Sequence, residues 1–351
     1  MAQQTIQLLF FGLVCTGKDN EVQVCRELLI ITLNITDATM AEAPIILDGG
    51  LATELEVAGL KIQGDPLWSA RILHSNPQAV KSAHYRFLQS GADVITTASY
   101  QASIQGFVQH LGVSVEQASQ LLMSSVHLAR EALLEFVAHV PLSGDRVPMV
   151  AGSVGPYGAF LHDGSEYSGA YDQDMTVEEL MAWHRPRLQC LVSAGADIIA
   201  METIPSLKEA EALVELLREF PASKAWLSFS CKDEKHISNG RLFSEAVRLA
   251  QRSQQLVAVG VNCCAPPLIE PLLVGAGPLS SPDLSWIVYP NSGEEWVQDV
   301  GWKTPERRTS FARLSTRWRE LGASWIGGCC RVSPADVAEL KCHLQGNPGN
   351  P

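Results

Sequence analysis

Three cysteines close to the ends of two apolar runs are the residues of this sequence best suited to chemistry. Cys263 lies shortly after the run 256–259, and the adjacent pair Cys329 and Cys330 follows the run 323–326. Adjacent cysteines rarely bridge to each other, because the small ring strains the peptide between them. Thiolates suit zinc, and three thiolates leave one coordination position open, as catalytic zinc sites do. The spacing therefore predicts a metal site with room for one more ligand.

Two neighbouring features bear on the geometry of this site. Gly327 and Gly328 directly precede the cysteine pair, and a residue without a side chain lets the backbone approach its neighbours closely. Cys264 follows Cys263. Because successive strand residues point to opposite faces, only one of these two thiols is expected to face the site, and the residues alone leave open which one.

The two cysteine motifs together resemble those of a known family. Gly260-Val261-Asn262-Cys263, followed by Gly327-Gly328-Cys329-Cys330-Arg331, is similar to the homocysteine S-methyltransferases, and the resemblance runs from about residue 45 to residue 340. It selects Cys263 rather than Cys264 as the ligand. It implies a zinc-dependent enzyme that moves a methyl group from a sulfonium donor to the thiol of L-homocysteine and gives methionine. The substrate sulfur would be the fourth zinc ligand.

Strand and helix patterns alternate eight times after residue 44. The predicted strands are 45–47, 92–98, 148–153, 196–202, 224–230, 257–262, 285–289 and 324–327. Strands that alternate with helices pair in parallel, and eight such units predict an α/β fold, a single (β/α)8 TIM barrel. Its active site, here the zinc site, is expected at the carboxyl ends of the strands. Ser or Thr followed by Glu at 176/179 and 206/209 has the spacing of a helix-capping box.

Further polar residues follow the predicted strands. Glu202 ends the fourth strand, and the resemblance implies that it binds the ammonium group of homocysteine through a charge-assisted hydrogen bond; an ion pair with a neighbouring Arg or Lys is the alternative. Asp48-Gly49-Gly50 follows the first strand, and the resemblance implies that this motif holds the carboxylate end of the substrate; an ordinary tight turn is the alternative. The other predicted substrate-binding residues are Thr53, Asn262 and Asn291.

The resemblance also narrows the methyl donor. Betaine-using relatives extend well past their last barrel helix, and Gln101 beside Tyr100 stands where those relatives have a tyrosine. The chain is more similar to the short type that uses S-methylmethionine, with S-adenosylmethionine as a weaker donor. A selenol acceptor such as selenocysteine remains open. Trp296 and Trp302 could attract a sulfonium cation through their aromatic faces, or could be packing residues.

Composition restricts the other classes of function. The 351 residues carry a formal net charge of −12 and lack the basic patch of a nucleic-acid surface. No apolar run reaches the roughly 18 residues of a membrane helix. The nine cysteines lack the dense spacing of a small secreted scaffold and fit a reducing compartment, for which we expect the cytoplasm. The rivals are a metal-free lyase or aldolase using Lys61 or Lys224, neither of which ends a strand, and a non-catalytic zinc-binding barrel.

Residues 1–42 are predicted to lie outside the barrel domain, which spans 43–346. The segment has a single Arg, at position 26, and no basic residue in its first eight, so it matches neither a transit peptide nor a signal peptide. Met40 stands directly before the first predicted strand. We therefore expect the extension to be disordered or absent from the native start.

Overall fold

The computed structural model describes residues 43–140, 146–297, 301–303 and 311–345, of which 295–297, 301–303 and 311 are described by their backbone alone. The predicted extension 1–42 lies outside these residues. The described residues form ten strands: β1 Ile45–Ile46, β2 Val94–Thr96, β3 Met149–Val154, β4 Ile198–Ile204, β5 Ala225–Phe229, β6 Leu256–Asn262, β7 Ser285–Tyr289, β8 Glu295–Val297, β9 Gly301–Lys303 and β10 Ala323–Ile326.

Eight of these strands form one parallel sheet that closes on itself. The neighbours follow the order β1-β10-β7-β6-β5-β4-β3-β2. A parallel bridge from Leu47 to Val94 joins the two ends of that order. The predicted (β/α)8 barrel is therefore confirmed. The remaining strands, β8 and β9, pair antiparallel as a hairpin that the sequence patterns did not predict.

In the described part of the chain, twelve α-helices accompany the strands. They are α1 Leu51–Val57, α2 Arg71–Ser75, α3 Pro77–Gln89, α4 Ile104–Leu111, α5 Val115–His139, α6 Tyr157–Leu161, α7 Val177–Ser193, α8 Leu207–Leu217, α9 Phe243–Ala250, α10 Ile269–Ala276, α11 Phe311–Glu320 and α12 Pro334–Gln345. Short 3-10 turns span Trp68–Ala70, Ser165–Tyr167, Ala170–Gln173 and Pro266–Leu268.

The two predicted capping boxes have different outcomes. Thr176 and Glu179 form the complete box at the start of α7, with each side chain bonded to the backbone of the other residue. Ser206 caps α8 by accepting a hydrogen bond from the backbone of Glu209. The Glu209 side chain turns away from Ser206 into a buried cluster, so the second box is incomplete, because stronger tertiary partners compete for that carboxylate.

The barrel interior is packed with side chains from all eight strands of the sheet. Trp226 is fully buried there, against Trp325 and Tyr289. Outside the sheet, a larger apolar core joins the strands to the buried faces of the helices. Among the described residues, no helix combines the length and apolarity needed to cross a bilayer. The packed interior leaves the strand ends as the place for a cavity.

Candidate metal centre and substrate cavity

The three predicted cysteines meet at the carboxyl end of the barrel. The Sγ atoms of Cys263, Cys329 and Cys330 all lie within 4.8 Å of one another. They come together because β6 and β10 flank β7 in the sheet. The structure joins Cys263 and Cys329 as a disulfide, with Cα atoms 5.6 Å apart, while Cys330 has a free thiol.

Backbone hydrogen bonds hold the cysteine loops against the end of β7. The Cys329 amide donates to the Pro290 carbonyl at 2.8 Å, and the Cys330 carbonyl accepts from Ser292 at 3.1 Å. The two preceding glycines are required by close approach: a Cβ at Gly327 would collide with Leu47, and one at Gly328 would collide with Val332. Residues with side chains at these positions would push the cysteine pair away from the site.

Cys264 does not face the cavity. It is buried in the core between helices and strands, and burial raises the pKa of its thiol to about 12. Cys263 lines the cavity instead, with a left-handed φ of 48°. The choice of Cys263 over Cys264 therefore agrees with the geometry.

The sulfur cluster fits the donor set of a zinc ion. Three thiolates about 2.3 Å from one zinc ion stand roughly 3.8 Å apart, within the observed spread of the three sulfurs. Burial raises the pKa of the Cys330 thiol to about 11, with Glu202 and Glu56 adding to the rise. A thiol in such surroundings stays protonated near neutral pH, and a coordinated metal ion would stabilise the thiolate so that the proton is lost to solvent.

Glu202 projects from β4 into the same cavity and is 8% exposed. Burial raises the pKa of its carboxyl to about 7, while hydrogen bonds from the Ser153 and Tyr289 hydroxyls work in the opposite direction. Among the residues that the structure describes, no Arg or Lys forms an ion pair with Glu202, which disfavours the salt-bridge alternative. A buried carboxylate without a cation is suited to bind one from a ligand.

The first-strand motif lines the same cavity. Asp48 is 4% exposed and accepts hydrogen bonds from the Thr96 amide at 2.7 Å and the Thr96 hydroxyl at 3.1 Å. Burial raises the pKa of Asp48 to about 8, and the nearby Glu202 adds to the rise. Gly49, Gly50 and Thr53 line the cavity as well, and the Thr53 hydroxyl accepts from the Arg331 amide at 3.0 Å.

The two predicted asparagines do not line the cavity. The Asn262 side chain accepts from the Thr203 amide and donates to the Thr203 hydroxyl, each at 2.8 Å. These bonds hold the residue next to Glu202 in a left-handed conformation with φ 61°. The Asn291 side-chain oxygen is buried without a hydrogen-bond partner. Their predicted substrate contacts stay predictions.

Sequence reasoning missed three aromatic residues of the cavity. Trp68, Tyr100 and Tyr167 line it, and the rings of Trp68 and Tyr100 meet edge to face with centroids 6.1 Å apart. Tyr100 was noted only as the neighbour of Gln101, and Tyr167 lies in a long loop without periodicity. Trp296 and Trp302 pair through their backbones in the β8–β9 hairpin, and their side chains lie outside the described residues.

Backbone strain also concentrates at this site. The described non-glycine residues with positive φ are Trp68, His162, Thr203, Cys263 and Arg331. Three of these five line the cavity, and a fourth follows Cys330. Strained conformations persist where the surroundings over-determine them, typically at ligand sites. The cavity is therefore a pre-organised site.

Comparison with known proteins places this site in a family. The sequence profile of homocysteine S-methyltransferase matches residues 45–344. A betaine-homocysteine S-methyltransferase of Drosophila melanogaster is 41% identical over 317 residues, which cover 86% of this chain and 95% of that protein. A selenocysteine Se-methyltransferase of Brassica oleracea var. italica is 42% identical over 313 residues, which cover 85% and 88% of the two chains.

A solved structure agrees with the sequence relatives. The homocysteine methyltransferase MmuM from Escherichia coli, in its metallated form, superposes with a TM-score of 0.75 at 40% identity, covering 86% of this chain and 96% of that chain. It has also been crystallised in oxidised and apo forms. With its barrel, its three-cysteine cluster and these matches over most of its length, the chain belongs to the homocysteine S-methyltransferase family and is a methyltransferase.

Proposed function

We propose that this protein transfers a methyl group from S-methylmethionine to the thiol of L-homocysteine, giving methionine, with Zn²⁺ as its cofactor. The observation that carries the proposal is one cavity lined by three convergent cysteines, two buried carboxylates and four aromatic rings. The cysteines and Glu202 suit the thiol and the ammonium group of the acceptor, and the aromatic rings suit the sulfonium group of the donor.

The acceptor would bind between the cysteines and the carboxylates. Cys263, Cys329 and Cys330 would hold the zinc ion, which deprotonates a coordinating thiol when bound. Glu202 would bind the ammonium group, because it is buried and has no cationic partner among the described residues. The backbone at Gly49 and Gly50 lines the cavity where the substrate carboxylate would lie.

The donor would bind against the aromatic wall. Trp68, Tyr100 and Tyr167 line the cavity with electron-rich rings, which would attract a sulfonium cation without neutralising it. Holding the methyl carbon in line with the acceptor sulfur at near-attack distance would supply much of the rate. No general acid or base is needed, since the donor leaves as a neutral thioether.

The length of the chain does not distinguish betaine from S-methylmethionine as the methyl donor. This chain covers 95% of a relative named for betaine, so the expected extension past the last helix is not a feature of every such relative. The preference for S-methylmethionine therefore rests on the family resemblance, and S-adenosylmethionine is the weaker donor. The Brassica relative keeps selenocysteine as a second candidate acceptor. We place the enzyme in the cytoplasm, where thiols stay reduced.

One assay tests the whole proposal. The reduced protein is loaded with zinc and incubated with homocysteine and, in turn, S-methylmethionine, S-adenosylmethionine and betaine, and methionine is measured. We expect one zinc per chain and the highest kcat/KM with S-methylmethionine. A higher value with betaine would overturn the donor assignment, and activity in a zinc-free protein would overturn the cofactor.

The cysteine cluster has its own matched pair of variants. Cys330→Ser is expected to lose zinc and activity, because it removes one of three thiolates. Cys342→Ser, on the exposed side of α12, is expected to change neither. Zinc content by metal analysis and methionine formation are the readouts. Full zinc content with full activity in Cys330→Ser would contradict the proposed metal centre.

A further inference from the structure

A buried polar cluster outside the cavity joins α7 and α8 to the loops that follow β2 and β3. Its charged members are Arg187 on α7, 2% exposed, and Glu209 on α8, fully buried. His184 lies between them, also fully buried. Burying two charges costs free energy unless their hydrogen bonds are satisfied, so the contacts of the cluster indicate what it is for.

Arg187 donates mainly to backbone carbonyls of the two loops. Its Nε donates to the Ala102 carbonyl at 2.8 Å, one terminal nitrogen donates to the Gly155 carbonyl at 2.7 Å, and the other donates to the Tyr100 carbonyl at 2.8 Å. The Ser99 carbonyl is 3.5 Å away. The guanidinium also stacks over Trp183 at 4.7 Å. Only arginine offers five N–H donors in a rigid planar fork, so no other side chain could make these contacts together.

His184 bridges Glu209 and Arg187 through its two ring nitrogens. Its Nε2 bonds to the Glu209 carboxylate at 2.9 Å, and its Nδ1 lies 3.3 Å from an Arg187 terminal nitrogen. Burial lowers the pKa of His184, so the ring is neutral. A neutral ring that donates from Nε2 to Glu209 can accept from Arg187 at Nδ1. The ring thereby connects the Glu209 carboxylate to the Arg187 guanidinium.

The carbonyls that Arg187 holds determine where the Tyr100 ring lies. Gly155 packs directly on that ring: an added Cβ would come within 2.6 Å of two ring atoms of Tyr100. The Gly155 amide also donates to the Tyr100 carbonyl at 3.2 Å. Arg187 therefore fixes both the residue that carries the ring and the backbone against which the ring rests.

Glu209 holds the second loop in the same way. Its carboxylate accepts from the Tyr157 amide at 2.7 Å and from the Tyr171 hydroxyl. Between these two anchors the loop carries Tyr167, the half-exposed ring at the cavity. The loop is compact, since a Cβ at Gly158 would meet the backbone of residues 165 and 166.

We propose that Arg187 is a positioning residue for the methyl donor. Through His184 and Glu209 it fixes the two loops that carry the Tyr100 and Tyr167 rings, and it thereby sets the affinity of the site for an onium donor. The inference rests on the proposed function in placing the donor against this aromatic wall. The acceptor side consists of the three cysteines, Glu202 and the backbone at Gly49 and Gly50, and among the described contacts none of these residues hydrogen-bonds directly to Arg187, His184 or Glu209.

The test is Arg187→Lys in the full-length, zinc-loaded enzyme. Lysine keeps the charge but offers three donors from one point and cannot reach the same carbonyls. We expect the KM for S-methylmethionine to rise about tenfold or more, the loss of one charged hydrogen bond, with the homocysteine KM within about twofold. Zinc content is expected to be unchanged, and titration calorimetry with S-methylmethionine alone is expected to show the same weakening.

Two further variants make the result decisive. Arg185→Lys is the matched control on the same helix, because Arg185 pairs with Glu219 at the surface, and we expect no change in either KM. Tyr171→Phe removes only the hydroxyl that donates to Glu209, and we expect a smaller rise in the donor KM. It remains informative should Arg187→Lys fail to fold.

Three outcomes would overturn the inference. They are equal rises in both KM values, an unchanged donor KM in folded Arg187→Lys, and an unchanged donor KM in Tyr171→Phe when Arg187→Lys does not fold. Whether S-methylmethionine is the donor at all is measured separately, with the unmodified enzyme. Should that enzyme use betaine instead, the same comparison of KM values is made with betaine.

Discussion

Glu202 is a carboxylate whose surroundings leave its charge open to a ligand. It lies buried at the end of β4, and its hydrogen bond from Ser153 does not neutralise it. A substrate ammonium group would complete the pair. In this role Glu202 would contribute to binding and positioning and not to the methyl transfer itself.

Glu202→Gln keeps the shape of the side chain and removes its charge. A charge-assisted hydrogen bond contributes about 1.5–3 kcal/mol, so we expect the homocysteine KM to rise about ten- to a hundredfold. Zinc content and the donor KM are expected to stay nearly unchanged, which steady-state kinetics and metal analysis measure. A thiol without the amino group serves as the control and should react equally poorly with both forms. Loss of zinc in the variant would show a structural role instead.

The pH dependence of homocysteine binding tests the same residue. Burial raises the pKa of Glu202 to about 7, so the carboxyl takes up a proton as the pH falls below 7 and loses its attraction for an ammonium group. The homocysteine KM is therefore expected to rise by up to about tenfold per pH unit below 7. Glu202→Gln should lack this rise. A parallel rise in both forms would assign the titration to another group.

At the scale of elements, His84 is a buried polar residue between packed helices. It lies on the inner face of α3 beside Val80 and Phe87, is fully buried, and neither ring nitrogen has a hydrogen-bond partner. Burial lowers the pKa of His84 to about 4. The helix therefore accommodates an imidazole that stays neutral and unbonded.

Replacing His84 is expected to change how the stability of the protein depends on pH. The folded protein binds this proton less readily than the unfolded chain, whose ordinary histidine pKa is 6.5. The stability of the native enzyme is complete above pH 6.5 and is reduced as the pH falls toward 4, by about 3 kcal/mol from this residue. His84→Leu should lose that dependence and be more stable at neutral pH by about 1–3 kcal/mol, since no polar group is left unsatisfied.

Urea unfolding at several pH values measures this effect. His127→Leu, at an exposed position of α5, is the matched control and should leave the pH dependence of stability unchanged. Equal pH dependence in the native protein and His84→Leu would show that the ring finds a partner in solution.

At the scale of the whole molecule, the barrel contains the parts that the proposed reaction needs. The family profile begins at residue 45, where β1 begins. A chain that starts at Met40 retains every residue of the cavity. We expect it to have the same melting temperature and the same kcat/KM as the full chain, measured by thermal unfolding and the methyl-transfer assay. A large loss of stability would mean that residues 1–39 pack on the barrel.

Much of the fold and of the site was readable from the sequence. Each of the eight barrel strands is marked by a local apolar run and most helices by apolar periodicity, which a chain carries in any context, and the alternation of eight such units implies closure into a barrel. The cysteines and Glu202 could be placed together for the same reason: the ends of parallel barrel strands meet at one face. These residues could be recognised from their motifs without knowing how the side chains pack.

Other features depend on contacts between residues far apart in sequence. Glu209 has the local spacing of a capping box, yet its side chain binds Tyr157, Tyr171 and His184, because a buried carboxylate is stabilised more by several donors than by one exposed cap. Asn262 ended a strand in the sequence, but only the folded barrel showed that it holds Thr203 of β4, which lies two strands away in the sheet. The sequence by itself determined the barrel and the three-cysteine cluster, which periodicity and motifs mark. Tertiary structure alone decided the aromatic wall and the buried charges behind it, since those positions follow from how loops pack.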